Sequence, residues 1–167
     1  RGCSSLTSIE IPSGVTSIGG SAFSGCSSLE NIVVEEDNTV YDSRGNCNAL
    51  IETESNTLLV GCRNTIIPET VTSIESFAFY GCSSLSSIEI PSGVTSIGYD
   101  AFCRCSSLAS VIFEENSQLI SIANDAFRDC SSLTSIEIPD GVASIGDYSF
   151  YSCDALENVT IPSSVTS

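Results

Sequence analysis

Six of the chain's nine cysteines, Cys3, Cys26, Cys82, Cys105, Cys130 and Cys153, recur with the same neighbours. Thiols in that number invite disulfide or metal chemistry. The spacings argue for neither. Cys103-Arg104-Cys105 is Cys-x-Cys, not the Cys-x-x-Cys of zinc sites. If the recurring units stack as strands, successive thiols come about 4.8 Å apart, longer than the Cβ separation a disulfide wants. Free Cys is among the most buried residue types, so the column reads as apolar filler. Cys47 and Cys62 stay open as a pair across a hairpin-like stretch, and the odd count leaves at least one thiol free.

Other side chains offer catalysis only in outline. The chain has no His, which excludes Ser-His-Asp and Cys-His machinery and any His-ligated metal. The pairs Ser4-Ser5, Ser27-Ser28, Ser83-Ser84, Ser106-Ser107 and Ser131-Ser132 therefore lack a base, and their hydroxyls read as partners for backbone groups at a corner. Glu10, Glu89 and Glu137 share one column, as paired acids of glycoside hydrolysis would, but neighbouring units never set two acids side by side in it. Asp100, Asp125 and Asp129 suggest calcium, yet no Asp-x-Asp-x-Asp loop accompanies them. No catalytic residue, metal or cofactor is expected.

The acids also set the field. Twenty-one Asp and Glu face five arginines and no lysine, a net charge of −16. That surface repels phosphate backbones and anionic lipid, so nucleic acid is an unfavourable partner. No apolar run approaches the ~18 residues that would cross a bilayer, so no membrane insertion is expected.

What must position these residues is a repeat. The text Cys-Ser-Ser-Leu-x-Ser-Ile-x-Ile-Pro-x-Gly-Val-x-Ser-Ile-Gly-x-x-Ala-Phe-x-Gly starts at Cys3 and returns at Cys26, Cys82, Cys105, Cys130 and Cys153. Counting back from Pro68 reveals a further unit that begins at Leu59, with Cys62 in the Leu column. The units are 3–25, 26–58, 59–81, 82–104, 105–129, 130–152 and a partial 153–167, which makes 1–167 a single repeat domain. Both ends fall inside a unit, so the chain reads as a piece of a longer protein.

The columns predict the elements. Ile9 and Ile11, two apart and bounded by Pro12, read as a short strand that the proline ends. Ala22-Phe23 and its counterparts read as one helical turn, with Ser21, Asp100 and Asp125 placed as N-caps. A unit of this length cannot bury its own apolar edge, but stacked units can pair their strands in parallel. The expected fold is a right-handed repeat solenoid of coils about 23 residues long, with parallel short strands and a single helical turn per coil. Thr70 and Ser164 stand in a Gly column and Glu75 and Ala123 in another, so neither column should demand a positive φ. The second unit is longer: Ala49-Leu50-Ile51 and Leu58-Leu59-Val60 flank Glu54-Ser55-Asn56 as a hairpin-like excursion, either a decorated functional face or a tolerated surface loop. The fifth has two extra residues near Glu114-Glu115-Asn116.

The columns Leu-x-x-Ile-x-Ile-Pro-x-x-Val-x-x-Ile-Gly-x-x-Ala-Phe-x-x-Cys resemble the BspA-like class of leucine-rich repeats, over essentially the whole chain. The segment from Asn38 to Pro68 looks like a variant unit common in that class. The resemblance implies an exported protein, extracellular or at the cell surface, of the kind found in gut and oral anaerobes. It implies adhesion or protein binding, with a host or cell-surface protein among the possible partners. It also implies attachment, in some members, to extracellular assemblies such as cellulosomes. It fixes no ligand.

Two faces are candidates for binding. Glu10, Val33, Ile66, Glu89, Ile112, Glu137 and Thr160 form an acidic, partly apolar strand face about seven strands long, suited to a basic protein partner. Tyr80, Tyr99, Tyr148 and Tyr151 form an aromatic patch of the type enriched at interfaces, and a carbohydrate is the weaker reading for it. The expected function is a non-enzymatic protein-binding or adhesion module. The alternative is a structural spacer or assembly module whose recognition lies in flanking domains. The exposed ends of the stack also predict end-to-end self-association.

Overall fold

The computed structural model describes residues 1–167 as a stack of about seven coils. The main strands are β1 (Ser8–Ile11) and β2 (Asn31–Val34), followed, after the hairpin region, by β7 (Ser87–Ile90), β9 (Ser110–Phe113), β11 (Ser135–Glu137) and β13 (Asn158–Thr160). All but the terminal β13, which is exposed throughout, alternate outward and inward residues: in β7, Ser87 and Glu89 face solvent while Ile88 and Ile90 are buried. The pairing is parallel and in register, Ile9 beside Ile32, Ile88 beside Val111 and Ile136 beside Val159. A second row of two-residue strands, β6 (Ser73–Ile74), β8 (Ser96–Ile97), β10 (Ser121–Ile122) and β12 (Ser144–Ile145), stacks Ile74, Ile97, Ile122 and Ile145 in one column. Each inward Ile or Leu contributes about 1.5–3 kcal/mol by leaving water, and only stacking allows that.

The Ala-Phe segment is a chain of hydrogen-bonded turns, where the sequence suggested a helical turn. The N–H groups of Phe77, Phe79 and Gly81 donate to the carbonyls of Tyr99, Ala101 and Cys103 in the next coil. Those of Ala78, Tyr80 and Cys82 close locally on Glu75, Phe77 and Phe79. This alternation needs two left-handed residues per turn: Phe77, Asp100, Asp125 and Tyr148 at one site, Gly81, Arg104, Asp129 and Ser152 at the other. Asp100 and Asp125 are thus turn residues and not N-caps, a role short polar side chains accept at modest cost. Inside, Phe79, Phe102, Phe127 and Phe150 stack face to face at 4.8, 5.1 and 5.7 Å between centroids.

The long second unit departs most from expectation. It forms β3 (Tyr41–Asp42), a short 3-10 turn (Arg44–Asn46), β4 (Ala49–Glu52) and β5 (Thr57–Gly61). β3, β4 and β5 pair antiparallel, and β5 then joins β6 in parallel, so the hairpin continues the second row as one seven-stranded sheet. It is neither a decoration nor a surface loop. Leu50 and Ile51 are both fully buried, on opposite faces of the hairpin. Leu50, Val60, Ile32 and Leu29 belong to a core of 9 buried residues, whereas Ala49, Ile51, Leu58 and Phe79 belong to one of 30. The hairpin is a partition wall across the inside of the solenoid.

The wall also alters register. Leu58, beside Ile74, takes the second-row position. Thr65, Ile66 and Ile67, expected as a main strand, form none, and the Ile66 N–H donates to the Cys47 carbonyl instead at 3.0 Å. The main row therefore splits into a two-stranded and a four-stranded sheet, and the seven-strand face is interrupted at the third coil.

Candidate functional site

The exposed side of the main row is built by the odd residues of each strand. Glu10, Val33, Ile66, Glu89, Ile112, Glu137 and Thr160 are all exposed. Register places Glu10 beside Val33, Glu89 beside Ile112 and Glu137 beside Thr160. Of the apolar ones Ile66, off the strand, is the most open at 76% exposure, with Ile112 at 52% and Val33 at 48%. Singly exposed apolar residues are ordinary, but several along one face mark an interaction surface.

Two hollows lie on this face. One, of about 900 Å³, runs over β9, β11 and β13, bounded by Ile112, Glu114, Glu115, Glu137, Asp140 and Thr160. A smaller one, of about 260 Å³, holds Ile66, Glu69, Glu89 and Glu114. They share Glu114, and no arginine lines either. The field there is uncompensated: the Glu114 carboxylate beside Glu69 raises the Glu69 pKa above its ordinary value, with slight desolvation and Glu89 adding to the effect. Across the face Glu35 lies below its ordinary value, because the Ser13 N–H donates to it at 2.7 Å. Glu69, Glu114 and Asp140 were not singled out as site residues in the sequence, although Glu69 and Asp140 both follow the proline of the repeat, and Glu114-Glu115 marks the two-residue extension.

The tyrosines fall into two ring clusters, whose arginines Arg104 and Arg128 both face Asp129. Tyr80 and Tyr99 meet through Phe77, at 5.8 and 5.4 Å, and the Arg104 guanidinium lies 5.7 Å from the Tyr80 ring centre. Tyr148 and Tyr151 meet edge to face at 5.9 Å, under Arg128, which also pairs with Asp125 at 3.1 Å. Sequence reading missed Phe77 and both arginines, which only the left-handed turns bring to this corner.

The cysteines are free thiols, and all but Cys3 are buried. Cys105, Cys130 and Cys153 donate to the carbonyls of Phe79, Phe102 and Phe127 in the coil before, at 3.1–3.2 Å. Burial pushes the Cys82 and Cys103 thiols up to about 12 and Cys153 to about 11. A thiol so raised is protonated and a poor nucleophile or ligand. Cys47 and Cys62 belong to different cores, on either side of the wall. No three Cys, Asp or Glu side chains are grouped as a metal ion would need, and no helix is long and apolar enough to cross a membrane.

Parallel strands, a recurring Leu-x-x-Ile-x-Ile frame and an exposed strand face define a leucine-rich-repeat solenoid. The family model for the BspA type leucine-rich repeat region matches in six copies, over residues 1–53 and 59–167, and the chain belongs to that family. No curated protein matches it. Among solved structures it is similar to a leucine-rich cell surface protein of Faecalibacterium prausnitzii, at 32% identity and a TM-score of 0.64, covering 93% of this chain and 48% of that one. It is also similar to a leucine-rich repeat protein of Bacteroides ovatus, at 34% identity and 0.68, covering 98% and 39%. The pneumococcal vaccine antigen PcpA, at 18% identity and 0.72, covering 97% and 47%, shares the fold. The chain spans less than half the length of each. Such repeat proteins are typically non-catalytic binding modules, and the family is one of bacterial surface proteins.

Proposed function

We propose that the chain is a protein-binding module of an exported bacterial surface protein, acting in adhesion, and that it docks a basic partner on the strand face. The observation that carries this reading is the pair of hollows sharing Glu114, lined by carboxylates and exposed Ile66 and Ile112 with no arginine among them. Such a surface attracts Lys- or Arg-bearing segments at long range and holds them by apolar contact. The test is selection from a displayed peptide library, followed by binding kinetics of the selected peptides. Basic peptides with apolar residues should be enriched, and their on-rates should fall steeply between about 50 and 500 mM salt. A Glu89→Lys/Ile112→Lys double variant should abolish binding. A salt-independent on-rate, or normal binding by the double variant, overturns the assignment of this face.

A second reading rests on the coverage, under half of each relative's length. In it the coils are a spacer or assembly module and recognition lies elsewhere in a larger extracellular protein. Peptide selection that enriches nothing favours it. We also propose end-to-end association through the terminal coils, where Leu6 and Ile9 are only partly covered and Val159 and Ile161 are exposed. Light scattering at high concentration should show it, and a clean monomer would oppose it.

A further inference from the structure

The hairpin wall is buried on both faces, and we infer that the layers holding β1 and β2 open as a unit of their own while the wall stays with the later coils. The two sides of the wall are unequal. The later side is a core of 30 buried residues; the earlier side has 9, flanked by Leu6, Ile9, Val15, Ile18 and Phe23, all only partly covered. The wall is tied to the later side by backbone pairing: Leu58 pairs with Ile74, and the Gly61 N–H donates to the Ala78 carbonyl at 2.9 Å. Its own apolar residues Ala49, Ile51 and Leu58 complete the larger core.

The earlier side meets the wall through side-chain bonds, Asn38 Nδ2 to the Pro12 and Val15 carbonyls and the Ile18 N–H to the Tyr41 hydroxyl, and through no strand ladder. Its main sheet has only β1 and β2. The outer edge of β2 finds a side chain in place of a strand, the Val34 N–H donating to the Ser43 hydroxyl at 3.0 Å. Outside the wall, the link to later coils runs through bonds such as Gly25 N–H to the Tyr80 carbonyl, 2.8 Å, and Arg63 N–H to the Leu29 carbonyl, 3.4 Å. Repeat arrays have nearest-neighbour stability, so a core divided by a finished surface comes apart at that surface before the larger part yields. The wall acts as an internal cap. Glu10 and Val33 ride on the opening part, while Glu89, Ile112 and Glu137 lie on the part that stays.

Amide hydrogen exchange on the intact chain tests this. Amides of β1 and β2 should exchange faster than those of β8 and β10, and β4 and β5 should follow the slow group. An Ile97→Val variant, in the larger core, decides between one unit and two. With two units it speeds exchange in β8 and β10 by about two- to tenfold and leaves β1 and β2 unchanged. Equal acceleration of both segments overturns the inference, and so does exchange of β4 and β5 together with β1 and β2.

Discussion

Gly61 lies against the ring of Phe79 so closely that a Cβ on Gly61 would overlap three of its carbons. The ring cannot retreat, because its other face is stacked on Phe102. The phenylalanine column thus ends on a bare stretch of backbone, at the level where the hairpin replaces an Ala-Phe turn.

Gly61→Ala should therefore lower stability by about 1–3 kcal/mol, the range for forcing atoms into a packed core. Gly93→Ala is the control, since its Cβ would meet the Glu69 carbonyl at 3.4 Å, an ordinary contact. Urea unfolding of the two variants against the parent checks the contrast.

Asn38 holds the start of the hairpin to the first coil. Its Nδ2 donates to the carbonyls of Pro12 and Val15, at 2.9 and 3.1 Å, and its Oδ1 accepts the N–H groups of Val40 and Tyr41, at 2.9 and 2.8 Å. Asn38→Ala leaves these groups, buried or partly buried, without their partner and should cost about 1–3 kcal/mol. Asn38→Asp should cost at least as much, since a carboxylate cannot donate to the two carbonyls. Thermal unfolding of both variants measures the loss.

The acid range should show two opposed titrations. Glu69 is raised by Glu114, so the folded state holds its proton more tightly than the unfolded chain does, and stability falls as pH rises through that window. Glu69→Gln should be slightly more stable than the parent at neutral pH, the difference vanishing below the ordinary carboxylate value. Asp42 behaves oppositely. Partial burial alone would raise it, but hydrogen bonds from the Arg44 guanidinium and N–H and from the Thr53 hydroxyl outweigh burial and hold it low. Its contribution is present above the unfolded value and is lost as pH falls through the folded one. Asp42→Asn should lower stability at neutral pH and converge on the parent in acid. Urea midpoints across the pH range read both.

Only Cys3 among the nine thiols is exposed. A disulfide reagent should titrate one thiol in the folded chain and all nine in denaturant. A denatured count of seven would mean that two are bridged, against the free Cys47 and Cys62 of the structure.

The stack was legible because its signal is periodic: Ile32, Ile88, Val111 and Ile136 are buried in the structure as the columns require, and Ile9 and Val159 hold the same register in the open end coils. In the third unit Cys62, Thr65, Ile67, Val71 and Ile74 are buried as their columns require, but counting back from Pro68 could not show that residues 65–67 pair with no strand. The unbroken apolar run Ala49-Leu50-Ile51 announces a strand, but it cannot say which coils cover its two faces, since they lie far away in the chain. The glycine column of Glu75 and Ala123 demands no positive φ, as those two residues implied, but the reason for its glycines was not legible. Gly98 and Gly146 have no positive φ; they are glycine because a Cβ would overlap the backbone of Ser76 and of Asn124 in the coil before. Positive φ values also fall on Phe77, Arg104 and Tyr148, residue types that do not advertise them. The strand-face residues were found from alternation alone, whereas the carboxylates around Glu114 depend on how loops fold over that face.

At the turn corner the Gly25 N–H bonds directly to Tyr80, so the first coil's turn abuts the third's with nothing between. Along the opposite row, β3, β4 and β5 are all inserted ahead of β6. With strands about 4.8 Å apart, the layers must fan out like the steps of a winding stair, narrow at the tyrosine corner and wide at the hairpin. A straight, rigid ligand laid along the later coils will therefore lift away from the first two, and only a bent or pliant one can follow the whole length.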